Sequence, residues 1–300
     1  MISVTILGNN SAVPAHNRHP TAQVLQTPEH TFLIDCGEGT QMQMNTYKIR
    51  RSKINHIFIS HLHGDHYFGL IGLLTSLGLN HRTADLHVYS PGGLQQIVEL
   101  QLQASHVVLP YPLHFHRLER DGVMYEDKKI IIENFKVYHR IECWGFLFRQ
   151  KKNLRKIIPE KVNYYKVPVS FFDNLHDGED FVTKDNKVIK NEELTTAVTP
   201  PKAYAYCADT GFFEPIIEKI KGVDLLYHES TYLNDLEEKA VSRFHSTAKQ
   251  AATVAKKGGV KKLLLGHFSS MYDKLDGFKT EACEVFENTE IAEEGTCYFV

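Results

Sequence analysis

Apolar residues in this chain come in short blocks cut off by polar turns. Blocks at 4–7, 21–26, 31–34, 57–59, 86–89, 203–208, 224–227, 262–266 and 296–299 have strand length, and most are closed by Gly, Ser, Asp or His. The pair 21–26 and 31–34 predicts a hairpin turning around Pro28. Four more short strands are predicted at 114–118, 129–132, 135–138 and 145–149. Between blocks, apolar residues at helical spacing predict a helix through Met42, Met44 and Tyr47 and another carrying Phe68, Leu70, Ile71, Leu73 and Leu74. Further helices are expected at 94–104, 213–220 and 280–288. Ser246 or Thr247 can cap one that runs to Lys257 and closes at Gly258-Gly259. Strands alternating with helices make this an α/β protein. No repeat of roughly 20–50 residues interrupts the order.

One region departs from the pattern. Between 149 and about 201 apolar periodicity fades, and Arg149, Lys151, Lys152, Arg155, Lys156, Lys161 and Lys166 are interrupted by a single acid, Glu160. Tyr164 and Tyr165 lie among them. The stretch reads as an arm inserted at 149–200 into one domain spanning 1–300, and its cations and aromatics suit contacts to phosphates, bases and sugars.

Composition adds the setting. With 42% hydrophobic and 23% charged residues the chain is ordinary for a globular protein, and its formal charge of −2 leaves no whole-molecule basic field. Binding to a polyanion must therefore come from local patches. Five cysteines (Cys36, Cys143, Cys207, Cys283, Cys297) are scattered and never form Cys-x-x-Cys, which fits a reducing compartment. The opening residues lack a signal-peptide pattern, and no apolar run approaches the roughly 20 residues of a membrane span, so a cytoplasmic location is expected.

The chemistry concentrates after the strand at 57–59. His61, His63, Asp65 and His66 offer four metal-ligand side chains within six residues. Imidazole with carboxylate suits zinc and similar divalent ions better than calcium or magnesium. Their spacing fits neither helix nor strand, so a loop beyond a strand's carboxyl end must gather them, where α/β sheets present ligands. Three later strand ends repeat the arrangement: His139, Asp209 and His267 each follow an apolar block.

The His61-x-His63-x-Asp65-His66 pattern resembles the metallo-β-lactamase superfamily. Four further stretches narrow the resemblance. Leu33-Ile-Asp-Cys-Gly-Glu-Gly-Thr-Gln41, His228-Glu-Ser-Thr231, His245-Ser-Thr247 and His267-Phe-Ser-Ser-Met-Tyr272 are similar, in order, to motifs of ribonuclease Z, the tRNA 3′-processing endonuclease family. The resemblance implies an αββα four-layer sandwich, usually a homodimer. It assigns His61, His63 and His139 to one ion and Asp65, His66 and His267 to a second. Asp209 and a hydroxide would bridge them, about 3.5–4 Å apart. Zinc, two per chain, is the expected cofactor, with manganese or another divalent ion as a substitute; no organic cofactor is implied.

Asp65 then stands as proton acceptor, and His245, oriented by Glu229, as the acid for a departing ribose 3′-oxygen. Arg18, in a loop similar to one near the family's active site, and Lys151, Lys152, Arg155 and Lys156 of the arm are the candidate substrate-binding residues. The expected reaction releases 3′ trailers from tRNA precursors and leaves a 3′-OH on the tRNA. Departures from the family's pattern are Met271 for an arginine, Ala208 for a glycine, and Val167-Pro-Val where a Gly-Pro is usual. Met271 and the acidic net charge leave room for one alternative: a small-molecule phosphodiesterase or esterase on the same scaffold.

Overall fold

The structure is a computed structural model describing residues 2–152, 154–198 and 200–300; Asn153 and Thr199 of the predicted arm, and Met1, lie outside the described residues. In chain order it begins β1 (Ser3–Gly8), β2 (Ala22–Gln26), β3 (Thr31–Ile34), α1 (Thr40–Thr46), β4 (Ile54–Phe58), α2 (Gly64–Tyr67) and α3 (Leu70–Leu79). Next come β5 (Leu86–Ser90), α4 (Leu94–Ala104), β6 (Leu113–Arg117), β7 (Gly122–Glu126), β8 (Ile130–Lys136) and β9 (Trp144–Gln150). A run of short elements follows: β10 (Lys156–Ile157), α5 (Pro159–Tyr164), α6 (Phe172–Asp177), β11 (Phe181–Val182), β12 (Val188–Ile189), α7 (Asn191–Leu194) and β13 (Thr195–Thr196). The chain closes with β14 (Ala203–Cys207), α8 (Ile216–Lys219), β15 (Leu225–Glu229), α9 (Glu237–Ser242), α10 (Ala248–Gly258), β16 (Leu263–Gly266), α11 (Asp276–Cys283), β17 (Thr289–Ile291) and β18 (Cys297–Phe299).

Two seven-stranded sheets result, ordered β18-β1-β2-β3-β4-β5-β6 and β17-β16-β15-β14-β9-β8-β7. Their inner faces meet through aromatic rings: Phe58 touches Phe146 and Phe148, each with ring centroids 5.6 Å apart, and Phe32 lies 5.8 Å from Phe148. On the outer face of the first sheet, leucines 70, 73, 74 and 77 of α3 and Leu94 and Val98 of α4 bury against Ile57 and Val88. Each such side chain is worth about 1.5–3 kcal/mol in transfer from water. Over the second sheet, α10 turns Ala248, Ala251, Ala252, Val254 and Ala255 inward, all with no exposed surface. These layers are the expected αββα sandwich. Because β3 to β6 run parallel, as do β14 to β17, the carboxyl ends of β4, β14, β15 and β16 can each deliver a loop carrying ligands.

The structure alters several of the predicted elements. The strands expected at 129–132 and 135–138 are one strand, β8, because Asn134 stays in the ladder and buries its amide on the Arg120 carbonyl. Strand β7 and helix α9 lacked a readable period. The helix expected at 213–220 is a single turn that starts only after Pro215, and the one expected at 280–288 runs earlier, Asp276–Cys283, to bury Phe278 and Ala282. Thr247, not Ser246, caps α10 in a reciprocal pair with Gln250, and Gly259 ends it in the left-handed conformation.

Contacts divide the chain into two compact units. The larger comprises the residues up to Tyr125, Ile132–Phe148 and Lys202–Val300; the smaller comprises Glu126–Ile131 and Arg149–Pro201. The smaller unit has a core of its own, built from Val162, Val167, Leu175, Phe181, Ile189 and Leu194, contrary to the reading of this stretch as an arm without core. Apart from Val167, which lies between elements, these apolar residues sit on elements of two to six residues, too short for a period to show.

Candidate metal centre

The centre starts from the glycine-rich turn after β3. Cys36 N–H donates to the His66 carbonyl at 2.7 Å and Gly69 N–H to the Cys36 carbonyl at 2.9 Å, pinning this turn to the histidine loop. A Cβ on Gly69 would lie 2.2 Å from the Gly37 carbonyl oxygen, so only glycine permits the approach. Asp35, held at φ 54 and fully buried, accepts hydrogen bonds from Ser60 N–H at 2.7 Å, Ser60 Oγ–H at 2.9 Å and Tyr206 Oη–H at 2.6 Å. Its Oδ2 also lies 2.8 Å from His66 Nδ1. That contact turns His66 Nε2 toward the centre, the usual way a carboxylate behind a ligating histidine fixes ring and tautomer.

The other rings are held from behind in the same manner. His61 Nδ1 sits 3.0 Å from Ser60 Oγ, His139 Nδ1 is 2.9 Å from the Phe244 carbonyl, and His267 Nδ1 is 3.0 Å from Thr231 Oγ1. Their Nε2 atoms converge on Asp209. Its Oδ2 lies 3.5 Å from His61 Nε2 and 3.9 Å from His139 Nε2; its Oδ1 lies 3.2 Å from His66 Nε2 and 3.1 Å from His267 Nε2. His63 joins the first group by Nδ1, 2.9 Å from His61 Nε2 and 3.3 Å from His139 Nε2. Asp65 Oδ2 joins the second, 3.5 Å from His66 Nε2 and 3.4 Å from His267 Nε2. One carboxylate thus faces two ligand clusters, an oxygen to each. All seven residues named from the sequence meet here, in the grouping the resemblance implies.

The donor set fits divalent ions. Within each cluster the donor atoms lie within 4.8 Å of one another. Asp209 Oδ1 is buried yet makes no hydrogen bond, so the nitrogens around it share a point with it rather than bonding to it. Burial, with the neighbouring His66 and His61 rings, holds His61 down to about 4 and His63 down to about 3, leaving neutral rings with free lone pairs. Burial also opposes charge on His66, but the carboxylates of Asp209, Asp65 and Asp35 overcome it and raise that ring well above its ordinary value. Positive charge is wanted at this position, and a bound cation would supply it.

Beside the ligands stands a second pair. Glu229, fully buried at the end of β15, places Oε1 2.8 Å from His245 Nδ1. The carboxylate also accepts Thr210 N–H at 3.1 Å, and Thr231 N–H and Oγ–H at 2.9 Å each. Burial disfavours a charged His245, yet the Glu229 carboxylate overrides it and lifts the imidazole to about 9. Thr247 does the capping, so His245 is left to present its ring to the cleft. That cleft, about 1060 Å³, is lined by His63, Asp65, His139, Asp209 and His245, with Arg140, Lys239 and Arg243 as its cations.

Two placements differ from the expectations. Arg18 does not line this cleft: its guanidinium donates to the carbonyls of Tyr272 and Asp273 and to Asn10 Oδ1, at 2.5, 3.0 and 3.0 Å, fixing the loop after His267. Three of its five N–H groups are engaged in these contacts. Of the four arm cations, Lys151 is paired with Glu126 at 2.6 Å and Arg155 with Thr195 at 2.7 Å, whereas Lys152 and Lys156 are exposed. Sequence reasoning passed over Asp35 and Arg140. Arg140, next to His139, reaches His63 Nε2 at 2.9 and 3.1 Å, and its place after a strand-end ligand was the available signal.

An αββα sandwich with this ligand array at the strand ends defines a metal-dependent hydrolase of the metallo-β-lactamase fold. A profile described as "Beta-lactamase superfamily domain" matches residues 161–268, and one described as "Anti-Pycsar protein Apyc1" matches residues 2–106. Curated proteins named Ribonuclease Z are 43% identical in Bacteroides fragilis (strain YCH46) and 41% identical in Porphyromonas gingivalis (strain W83), over 97% of this chain and 97% of theirs. The chain belongs to the ribonuclease Z family. Its fold is similar to that of the short form of human tRNase Z (TM-score 0.71, 24% identity, covering 99% and 98% of the two chains) and of Bacillus subtilis YhfI (TM-score 0.70, 20% identity, covering 99% and 98%). No helix among the described residues is long and apolar enough to cross a membrane.

Proposed function

We propose that this enzyme is a zinc-dependent endoribonuclease that removes 3′ trailers from tRNA precursors and leaves a 3′-OH on the tRNA. The observation that carries the reading is Asp209 standing between two ligand clusters with the Glu229–His245 pair beside them on one cleft. His61, His63, His139 and Asp209 would hold one ion, and Asp65, His66, His267 and Asp209 the other. Two zinc ions held there would supply an activated water and would offset the charge that builds on the phosphate. The Asp65 carboxylate, fixed by the Ala12 N–H at 2.7 Å, accepts the water's proton. His245, kept charged by Glu229, gives a proton to the departing 3′-oxygen; without it that oxygen would leave as an alkoxide. Arg140, Lys239 and Arg243 hold the phosphates on either side of the cut.

Recognition of the tRNA body falls to the inserted unit at 149–200, through Lys152 and Lys156 first and Lys151 and Arg155 second. Family resemblance supports a homodimer, and a cytoplasmic site of action fits the scattered cysteines. The experiment is a comparison of kcat/KM on a tRNA precursor and on a small nitrophenyl phosphodiester. A strong preference for the precursor, lost when the 149–200 cations are removed, supports the reading. Equal or better turnover of the small diester, indifferent to those cations, would replace it with the small-molecule phosphodiesterase alternative.

A further inference from the structure

A second ligand array stands on the edge of the first sheet, away from the residues that line the cleft. Strand β6 ends that sheet and pairs with β5 so that His87 lies opposite His114 and Tyr89 opposite His116. Side chains two apart on a strand share a face, so Asp85, His87, His114 and His116 project together. Their donor atoms are close. Asp85, His87 and His114 each place one within 4.8 Å of the others. Asp85 Oδ2 is 3.1 Å from His114 Nε2, and His87 Nδ1 is 3.0 Å from His116 Nε2. For comparison, the edge of a tetrahedron with zinc–nitrogen bonds of about 2.0–2.1 Å is roughly 3.3 Å.

The position of Asp85 is built rather than incidental. Arg82, 8% exposed, donates to the carbonyls of Ala84 at 2.7 Å and Asp85 at 2.5 Å, and to the Ile54 carbonyl at 3.0 Å. A buried guanidinium thus clamps the turn that presents the carboxylate. The rings themselves form a stack: His87 lies 4.8 Å from His114 and 5.2 Å from His116, and Tyr89 covers His116 at 4.5 Å. Rotation of half-exposed rings about χ1 and χ2 is fast and brings the wider donor pairs together.

We propose that Asp85, His87 and His114, with His116 as a fourth ligand, form a separate surface site for a borderline divalent ion of the zinc, nickel or copper type. Three imidazoles and one carboxylate select such ions over magnesium, calcium or manganese. An ion there ties the edge strand β6 to β5. It is additional to the ions of the cleft and shares no ligand with them.

The test is zinc binding by the full-length protein, measured by equilibrium dialysis with elemental analysis. Three proteins are compared: wild type, His87→Ala/His114→Ala, and Asp209→Ala, with circular dichroism to verify folding. The wild type is expected to bind one ion per chain more than His87→Ala/His114→Ala, and Asp209→Ala to keep that extra ion. Asp85→Asn, nearly isosteric and exposed, is expected to bind the extra ion about tenfold more weakly, the scale of one lost charged contact. Identical zinc isotherms for wild type, Asp85→Asn and His87→Ala/His114→Ala would overturn the site and leave the rings as a packing stack.

Discussion

Replacing Glu229 with glutamine removes the charge that keeps His245 protonated, and the consequence can be worked out from the structure. His245 is held at about 9 against an ordinary imidazole value of 6.5. With its side chain 15% exposed and the partner's 0% exposed, screening by water is slight. The gap corresponds to roughly 3 kcal/mol of preference for the charged ring, or about 30 to 1 in favour of charge at pH 7.5. Without the Glu229 carboxylate, burial, the largest influence on the ring, is opposed only by the Asp209 and Asp65 carboxylates, and the ring falls back to its ordinary value or below. Less than roughly a tenth of His245 is then charged at pH 7.5. Cleavage of RNA, which needs the proton, should fall about tenfold or more at that pH and recover toward acid. A nitrophenyl diester, whose leaving group needs little protonation, should be spared. The new amide would also face Thr donors that Glu229 now satisfies, costing about 1–3 kcal/mol of stability, so the variant must be shown to be folded.

Two measurements decide the matter. A histidine-ring NMR titration of the metal-free protein should place His245 near 9 in the wild type and at or below 6.5 in Glu229→Gln. Because the folded value lies above the unfolded one, the pair's contribution to stability is complete below about pH 6.5 and disappears as pH rises through about 9. A wild-type His245 that titrates at or below 6.5, or a Glu229→Gln enzyme with an unchanged pH–rate profile on RNA, would refute the reasoning.

Three other outcomes follow from the geometry. Asp209→Ala should lose both ions of the cleft, since each cluster uses one of its oxygens; retention of either, by elemental analysis, contradicts the bridging role. Arg140→Ala should raise KM for a phosphodiester about tenfold, the worth of one hydrogen bond to a charged group, measured on protein whose metal content is matched to wild type because Arg140 also touches His63; an unchanged KM would place the phosphate elsewhere. Lys152→Ala/Lys156→Ala should flatten the dependence of log affinity for a tRNA precursor on log salt by about 0.7–0.9 per lost phosphate contact, more than Lys151→Ala/Arg155→Ala, whose side chains are already engaged within the smaller unit. An equal or reversed order would show that exposure does not identify the contacting residues.

The metal ligands were legible because their chemistry is concentrated: four in one loop, and the rest each at the end of an apolar strand. What lay behind them was not. Asp35 appears in the sequence as part of a glycine-rich turn, and only the pairing of β3 with β4 carries its carboxylate to His66 and Ser60. Arg18 resembled a substrate contact, but acceptors on two loops far apart in sequence engage three of its five N–H groups. The α/β class followed from alternating blocks and the αββα layering from the family resemblance, whereas β7, α9 and the elements of the smaller unit are too short or too mixed to carry a period. Val162, Leu175 and Ile189 become a core only when those short elements meet. The histidines of β5 and β6 gave no signal, since their clustering depends on the register between two strands.

Mapping the ends of the RNA products tests the central claim most directly. Purified enzyme loaded with zinc is incubated with a tRNA precursor carrying a 3′ trailer, and both fragments are sequenced to their termini. One cut is expected at the junction of tRNA and trailer, with a 3′-OH on the tRNA and a 5′-phosphate on the trailer. Cuts scattered along the RNA, a 3′-phosphate on the tRNA, or no cleavage by zinc-loaded, folded enzyme would contradict it.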